Sequence, residues 1–518
     1  MTDENEYAIG IDLGTTHTVF AVYRRNNAEV LQNAEGDRLM KSCVMYTEKG
    51  LIIGNIAYER MRSNPEDVIL LAKRYMGRSP KDEEVEIDNL HLPWQQPIDE
   101  NGKLKFQVNE RGKRRNFSPE EIASEILRKV RLDAEKALGI QGITKAVISV
   151  PAYFNARRIR ATEDAARIAG LEVLQIVHEP IAAAIAYGHK NRLSTGNKIL
   201  VYDLGGGTFD ATIIQVEENQ GLKVIAVDGN SHLGGENFNH RIANKLILEL
   251  NRRDKVKLDM SDDKYKRDRL FLRDVVEHAK KELTVQRETN VSFQVGDHIY
   301  DSPLSRAKFE NFCVDLFKDT IDIITRNLEG AKIKKEEIDR VVIVGGSTRI
   351  PKIQAMLKEY FPQKTKFDFS INVDEAVAMG CAILAAKRNG NQALQDLTLV
   401  DINPFTFGVR VEEDQGAFVT KLIEKGSAIP SPAVTQKFFT YSPDQTEVII
   451  PIYQIEDTQD PDIKKEVKIQ QITIQCEKGP IEQPKVEVSF ELNASRLLSR
   501  VANNFRHVSF VFSRNIKS

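Results

Sequence analysis

The sequence predicts an α/β chain in two parts: a large domain of two related lobes, then a small all-β domain. Three observations predict this. The turn Asp-Leu-Gly occurs twice, in "IDLGTTHT" (11–18) and "YDLGGGTFD" (202–210), each followed by a β-type run. Strand, helix and small-turn patterns then alternate to about residue 388. After Asp401 helical periodicity largely disappears, and proline recurs at 404, 430, 432, 443 and 451. At 518 residues the chain is also too long for one hydrophobic core.

Taken in order, residues 7–13 and 19–23 read as a hairpin about Gly-Thr-Thr. A helix begins in "SPEEIASEILRKV" (118–130): Ser118 can cap, Pro119 fits the first turn, and Glu121 completes a capping box. "AVISV" (146–150) reads as a buried strand, and a helix follows that Gly170 closes. A second hairpin spans 198–203 and 209–216. "DRVVIVGGSTRIPKIQAML" (339–357) is a strand, a Gly-Gly turn and a helix. Residues 389–400 form a linker between a domain at 1–388 and a β domain at 401–518. In that domain "TEVIIPIYQ", "KVEVSFEL" and "HVSFVF" (507–512) read as strands. No helical tail is expected after them. The basic runs 110–116 and 332–337 flank predicted helices and read as solvated loops or helix ends rather than a targeting signal.

Composition excludes several classes. Hydrophobic residues are 41%, charged residues 29%, and the formal net charge is -2, so overall charge implies neither nucleic acid nor a membrane surface. Cysteines at 43, 313, 381 and 476 form no CxxC pair, which argues against zinc and dithiol redox chemistry. No apolar run of membrane-spanning length and no secretory leader pattern is present, so cytoplasmic residence is expected by elimination.

The two turns carry the chemistry. Glycine lets backbone N–H groups approach phosphate oxygens, and an Asp at the strand end can hold a hydrated Mg²⁺ beside them. Asp12 with Gly14, Thr15 and Thr16 can do this, as can Asp203 with Gly205, Gly206, Gly207 and Thr208. One such turn is weak evidence, because Asp-Gly turns are common in hairpins. Two, each opening a similar β unit, suggest duplicated lobes facing each other across a nucleotide. In "VGGSTR" (344–349), Gly345 and Gly346 allow a nucleoside to approach, and Arg349 could lie on an adenine face. A plain strand-to-helix turn is the alternative there.

With these residues in hand, the chain resembles the seventy-kilodalton heat-shock chaperone family (heat shock protein 70), whose ATPase domain is actin-like. The matching stretches are "IGIDLGTTHTVFAVY", "AVISVPAYFNARRIRAT", "GLEVLQIVHEPIAAAIAYG", "VYDLGGGTFDATII", "GNSHLGGENFN", "VVIVGGSTRIP" and "NVDEAVAMGCAI", in the family's order over 7–388. "DINPFTFGV", "TKLIEKGSAIPS" and "VIIPIYQ" resemble its β substrate-binding subdomain more loosely. The resemblance implies hydrolysis of ATP to ADP with Mg²⁺ and usually K⁺. Lys73 matches a lysine at the γ-phosphate, Glu179 an acid that orders water and metal, and Thr208 a hydroxyl nearby. Asp203 is the implied proton acceptor, and Asp12, Asp203 and Asp210 the implied metal set. His17, Gly234, Gly235, Glu236, Glu277, Lys280, Lys281, Thr284, Ser347 and Asp374 join the turn residues as implied nucleotide contacts. Lys281 falls where many relatives have Arg. Implied partners are unfolded polypeptide, a J-domain co-chaperone and a nucleotide-exchange factor, with no nucleic acid or membrane.

The chain also departs from the family. Ala156 and Ile159 stand where relatives carry an Asp and an Arg that link the domains, and Gln175, His178 and Ile181 replace residues near the J-domain and linker contacts. Thr398 interrupts the apolar run of "DLTLVD"; burying its hydroxyl unpaired would cost about 1–3 kcal/mol and weaken docking. Val409, Val411, Phe438, Val448 and Ile450 could line a peptide groove, with Tyr441 as half of an arch over it; an ordinary β core is the alternative for the five. The family's helical lid is expected to be missing. These departures point to an ATP-dependent chaperone with weakened interdomain coupling. The rival reading is a non-chaperoning, ATP-binding co-chaperone or scaffold, for example on ribosomes; a small-molecule kinase on the same scaffold is more remote.

Overall fold

Strands β1 (Ala8–Leu13) and β2 (His17–Arg24) form a hairpin, and β3 (Asn27–Val30) extends it antiparallel. β1 and β2 are buried along almost their whole length, as suits a sheet covered on both faces. The computed structural model that shows this describes residues 7–503 apart from 62, 64–66, 92–96, 192, 261, 370, 414–415, 441, 458–463, 482–485 and 494–497. Helix α1 (Pro119–Leu138) starts with the capping box read from the sequence. Ser118 Oγ accepts from the Glu121 N–H, and the Glu121 carboxylate accepts from the Ser118 N–H at 2.6 Å. Then β4 (Lys145–Val150) pairs parallel with β1, β5 (Glu172–His178) pairs parallel with β4, and α2 (Glu179–Lys190) follows. The order across this first sheet is β5-β4-β1-β2-β3.

The second lobe repeats the plan. β6 (Lys198–Leu204) and β7 (Phe209–Val216) form the hairpin, and β8 (Leu222–Asn230) extends it. After α3 (Gly235–Asp254) and α4 (Lys266–Glu282), β9 (Arg340–Val344) pairs parallel with β6, and β10 (Lys366–Asp368) with β9. The order β10-β9-β6-β7-β8 carries the same succession of parallel and antiparallel ladders as the first sheet. The duplication inferred from two echoing turns is therefore a duplication of topology. It also aligns the turns: Leu13 pairs with Thr18 as Leu204 pairs with Phe209, and Asp12 sits opposite Val19 as Asp203 sits opposite Asp210. The second hairpin thus carries a carboxylate that the first lacks.

Helix α5 (Ala376–Arg388) lies against β1 and α2 at backbone contact. A Cβ on Gly10 would fall 2.0 Å from the Ala382 nitrogen, and one on Gly380 would fall 1.8 Å from the Ala182 carbonyl oxygen. Small residues here let α2, α5 and the sheet touch, which fixes the floor of the cleft. The core of the second lobe is aromatic instead, with Phe238 between Phe309 and Phe317 and Tyr202 against Phe209.

Two expectations need correction. The basic run 110–116 is the tip of a hairpin between strands Lys103–Glu110 and Lys113–Phe117. Arg111 (φ 50°) and Gly112 (φ 74°) supply the paired positive φ values that such a two-residue turn requires. Thr398 is exposed, so its hydroxyl carries no burial cost. The segment after α5 is held by its backbone. Lys387 Nζ donates to the carbonyls of Leu394 (3.2 Å), Gln395 (2.7 Å) and Leu397 (2.6 Å), and the Thr398 carbonyl accepts from the Leu222 N–H at 3.0 Å.

The chain divides into two compact units, 1–154 with 161–398, and 155–160 with 399–518. Every regular element described beyond Leu399 is a strand. β11 (Thr406–Glu413), β12 (Gly416–Ile423), β13 (Val434–Phe438), β14 (Glu447–Asp457), β15 (Lys464–Gln475), β16 (Val486–Leu492) and β17 (Leu498–Asn503) form two sheets, β12-β11-β14-β15 and β13-β16-β17. The strand read at 507–512 lies outside the described residues.

Candidate nucleotide site

The two turns face each other directly. A Cβ on Gly206 would meet Thr16 Oγ1 at 2.6 Å, and one on Gly207 would meet Thr15 Oγ1 at 3.0 Å. A methyl at Gly206 would force Thr16 aside and one at Gly207 would crowd Thr15, so the two turns approach each other closely. Between the lobes lies a cavity of about 420 Å³. It is lined by Asp12, Gly14, Thr15, Thr16 and His17 from the first hairpin, and by Asp203, Gly205, Gly206, Gly207 and Thr208 from the second. Lys73 and Glu179 line its floor. Gly235, Glu236, Glu277, Lys280, Lys281 and Thr284 line one side, and Gly345, Gly346, Ser347, Arg349 and Asp374 the other. Gly234 does not line the cavity: it backs the phosphate turn, where a Cβ would meet the Gly207 nitrogen at 2.6 Å. Asp210 also stands behind the lining, 1% exposed.

The electrostatics explain why these residues sit together. Lys73 Nζ donates to Glu179 Oε1 at 2.7 Å, and both groups are buried. Asp12 accepts from Ser149 Oγ at 3.0 Å. Burial, with Glu179 beside it, pushes the Asp12 carboxyl up to about 7, although Lys73 pulls the other way. Burial and the charges of Glu179, Asp210 and Asp12 push Asp203 up as well, and burial and Glu179 push Asp210 up to about 8. Both Asp210 oxygens are buried, and the backbone N–H groups of Ala152 and Tyr153 are near enough to pull its carboxyl the other way. Among the described residues no group of three or more carboxylate, histidine or cysteine side chains stands close enough to hold a metal ion directly; carboxylates spaced like Asp12 and Asp203 suit a hydrated cation such as Mg²⁺ only through its water shell.

On the nucleoside side, Lys280 Nζ donates to the Gly235 carbonyl at 2.9 Å, tying α4 to the start of α3. Arg273, not foreseen from the sequence, forks onto Glu236 and lies 3.3 Å from Glu277. Burial alone would raise the Glu277 carboxyl, but Arg273, Lys41 and Lys280 outweigh it and hold it well below the usual range. Lys281 reaches back to Glu277 at 2.7 Å, and Arg349 pairs with Asp374 at 2.7 Å. His17 lines the cavity with its Nδ1 3.2 Å from Thr16 Oγ1. Burial and the charge of Lys41 lower its pKa to about 3, so the ring is neutral. Outside the lining, the Tyr58 hydroxyl donates to Asp274 and accepts from Arg273 at 2.9 Å. Asn239 also lines the cavity unforeseen. No local motif announces Arg273, Tyr58 or Asn239, because each acquires its place only when distant helices pack.

The departures at 175, 178 and 181 do not present a surface. Gln175 is 6% exposed, and His178 and Ile181 are 0% exposed. They follow β5 and the first turn of α2 inward beneath the cleft. Gln175 Oε1 accepts from Arg388 Nε at 2.8 Å, so it contacts the helix that leads into 389–398 and not an outer face. Ile159 is buried as well. In the β unit, Val409, Phe438, Val448 and Ile450 are packed in the core with Ile452, Val486, Val488 and Phe490, and Val411 flanks it half-buried. Tyr441 lies outside the described residues.

A sequence model of the family described as "Hsp70 protein" matches residues 8–507. The chain is 38% identical over 498 residues to a "Heat shock 70 kDa protein" of Emericella nidulans and to one of Neurospora crassa, covering 95% of this chain and 75% of each relative. It is 37% identical to "Heat shock 70 kDa protein 2" of Paracoccidioides lutzii, covering 95% of this chain and 74% of that protein.

Proposed function

The chain belongs to the Hsp70 family, and from that premise we propose that it is an ATP-dependent chaperone that binds and hydrolyses ATP and holds extended apolar segments of unfolded proteins. Members of this family are ATPases that use ATP and ADP with Mg²⁺. The observation that carries the reading is the contact of Thr15 and Thr16 with Gly207 and Gly206 above the buried Lys73–Glu179 pair. Backbone N–H groups of the two turns would cradle the phosphates from opposite lobes, and Glu277 and Lys280 would take the ribose. Adenine would lie between Lys281 and Arg349. Phosphoryl transfer needs positioning and charge neutralisation more than a strong base. Lys73 would neutralise the terminal phosphate and orient the attacking water. Glu179 fixes Lys73, Thr208 offers a hydroxyl, and Asp203 takes the proton released. Asp12, Asp203 and Asp210 would hold Mg²⁺, which supplies countercharge to the phosphates, and K⁺ would be its monovalent companion.

Peptide would bind in the β unit around Val411, with Val409, Phe438, Val448 and Ile450 as the apolar wall beneath it. Coupling between nucleotide and peptide is weakened, since Ala156 and Ile159 supply neither carboxylate nor guanidinium. A J-domain protein, an exchange factor and cytoplasmic residence belong to the same proposal; the cysteines at 43, 313, 381 and 476 are all free thiols. ATP hydrolysis with Mg²⁺, with and without an apolar heptapeptide, tests the reading. Hydrolysis that peptide raises less than about twofold supports it. Nucleotide binding without hydrolysis favours the scaffold reading, and strong peptide stimulation refutes the weakened coupling.

A further inference from the structure

A buried acid of the first lobe reaches toward the second. Asp88 lies on the helix Glu83–His91 and is 0% exposed. Its Oδ1 accepts from Arg74 Nη1 at 2.5 Å, and its Oδ2, without a hydrogen bond of its own, lies 3.5 Å from His232 Nε2. Arg74 follows Lys73 on the 3₁₀ turn Ala72–Arg74. Its Nη2 crosses the cleft to the Gly207 carbonyl (3.4 Å) and Asn237 Oδ1 (3.3 Å), and that same oxygen accepts from the Gly234 N–H at the head of α3. His232 is anchored in the second lobe: its N–H donates to Asn230 Oδ1 at 2.8 Å, and its Nδ1 lies 3.1 Å from Ser231 Oγ.

The charges agree with this geometry. Burial alone would raise the Asp88 carboxyl, but the Arg74 charge and the His232 contact outweigh it and hold it ionised. Burial lowers the His232 pKa against the pull of Asp88, with Arg74 and Arg78 adding to the lowering, so the ring is neutral near pH 7 and has one N–H to give Asp88. Leu71, just before the turn, is held at φ 58°, a conformation costly for leucine that persists only where the surroundings impose it. Three approaches thus span the cleft: Arg74 to the Gly207 carbonyl, Arg74 to Asn237, and Asp88 to His232.

We propose that Asp88 and His232 are positioning residues: through Arg74 they register the turn bearing Lys73 against the phosphate turn 205–208. The proposal rests on the ATP-hydrolysing reading for its purpose, not for its geometry. Lys73 belongs to one lobe and the phosphate turn to the other, and a misplacement of about 1 Å can cost about a hundredfold in rate. Asp88 and His232 remove that freedom without touching the nucleotide.

The test uses the full chain with His232→Ala and His232→Gln; the Gln amide nitrogen can stand in for Nε2. Amide exchange at 71–76 and 205–208 is measured with ADP and Mg²⁺ and again without nucleotide. His232→Ala is expected to speed exchange about tenfold in both segments, and His232→Gln to restore it. Single-turnover hydrolysis should slow about tenfold in His232→Ala while ATP affinity stays within about twofold. Unchanged exchange in both segments, a Gln variant no better than Ala, or a loss confined to affinity overturns the proposal. A wild-type protein that does not hydrolyse ATP sinks the ATPase reading, and the exchange comparison still decides the positioning role of Asp88 and His232.

Discussion

Lys73 and Glu179 form a buried ion pair, 2.7 Å from nitrogen to oxygen, on the floor of the interlobe cavity. Lys73 supplies positive charge to the cluster of Asp12, Asp203, Asp210 and Glu179, and it pulls each of the three Asp carboxyls downward. Removing it should do two things at once. Lys73→Ala leaves Glu179 buried without its partner and is expected to cost about 3 kcal/mol of stability in the nucleotide-free protein, measured by urea unfolding. Under the proposed site, Mg²⁺ with ADP should recover part of that loss, because it would bring positive charge to the same carboxylates.

Gly380→Ala should be far more damaging than its single methyl suggests. The new Cβ would lie 1.8 Å from the Ala182 carbonyl oxygen, and neither helix backbone can give way without moving the sheet. The expected cost is about 3 kcal/mol or more, or no soluble protein. Gly36→Ala is the control: nothing lies within 4 Å of its Cβ, and only its φ of +92° opposes the change. It should cost about 1 kcal/mol. Thermal unfolding of both variants decides.

His17 should make stability depend on acid. The folded ring is held to about 3 by burial and by Lys41, against 6.5 for an ordinary histidine. Between those values the unfolded chain takes up a proton that the folded chain refuses, so this contribution is whole above pH 6.5 and is lost as pH falls toward 3. Water in the open cavity screens part of it. Nucleotide-free wild type should lose about 1 kcal/mol more than His17→Asn between pH 6.5 and pH 5, by urea unfolding at both values. Equal losses in the two proteins would show that the ring is not held neutral.

Lys387 should pin the segment that leads out of α5. Its ammonium serves three carbonyls, at Leu394, Gln395 and Leu397, and is their only side-chain cation among the described residues. Lys387→Ala is expected to raise the rate of proteolysis between 392 and 398 about tenfold with little change elsewhere. Thr398→Leu should leave that rate nearly unchanged, because the Thr398 side chain is exposed and its carbonyl, not its hydroxyl, is held by Leu222.

The parts legible in the sequence are those whose signal is local. Ser118, Pro119 and Glu121 announce their helix because a capping box is complete within four residues. Asp12 and Asp203 announce the cleft because each closes a glycine turn, and the turn residues, Lys73 and Glu179 do line one cavity. The exposure of Thr398 and the burial of Gln175, His178 and Ile181 could not be read locally for a shared reason: burial is not written in a residue's neighbours along the chain. Thr398 sits in an apolar run yet is exposed, while Gln175 is polar yet buried against Arg388. Arg74, Asp88 and His232 were invisible for the same reason, since three separate segments must fold before they meet.

The central claim is that the facing turns and Lys73 form a working phosphoryl-transfer site. Single-turnover hydrolysis of ATP by the purified full chain with Mg²⁺, beside Lys73→Ala, tests it most directly. The account predicts hydrolysis by the wild type, at least about a hundredfold slower in Lys73→Ala, with ATP still bound by both. Wild-type hydrolysis no faster than that of Lys73→Ala would contradict it.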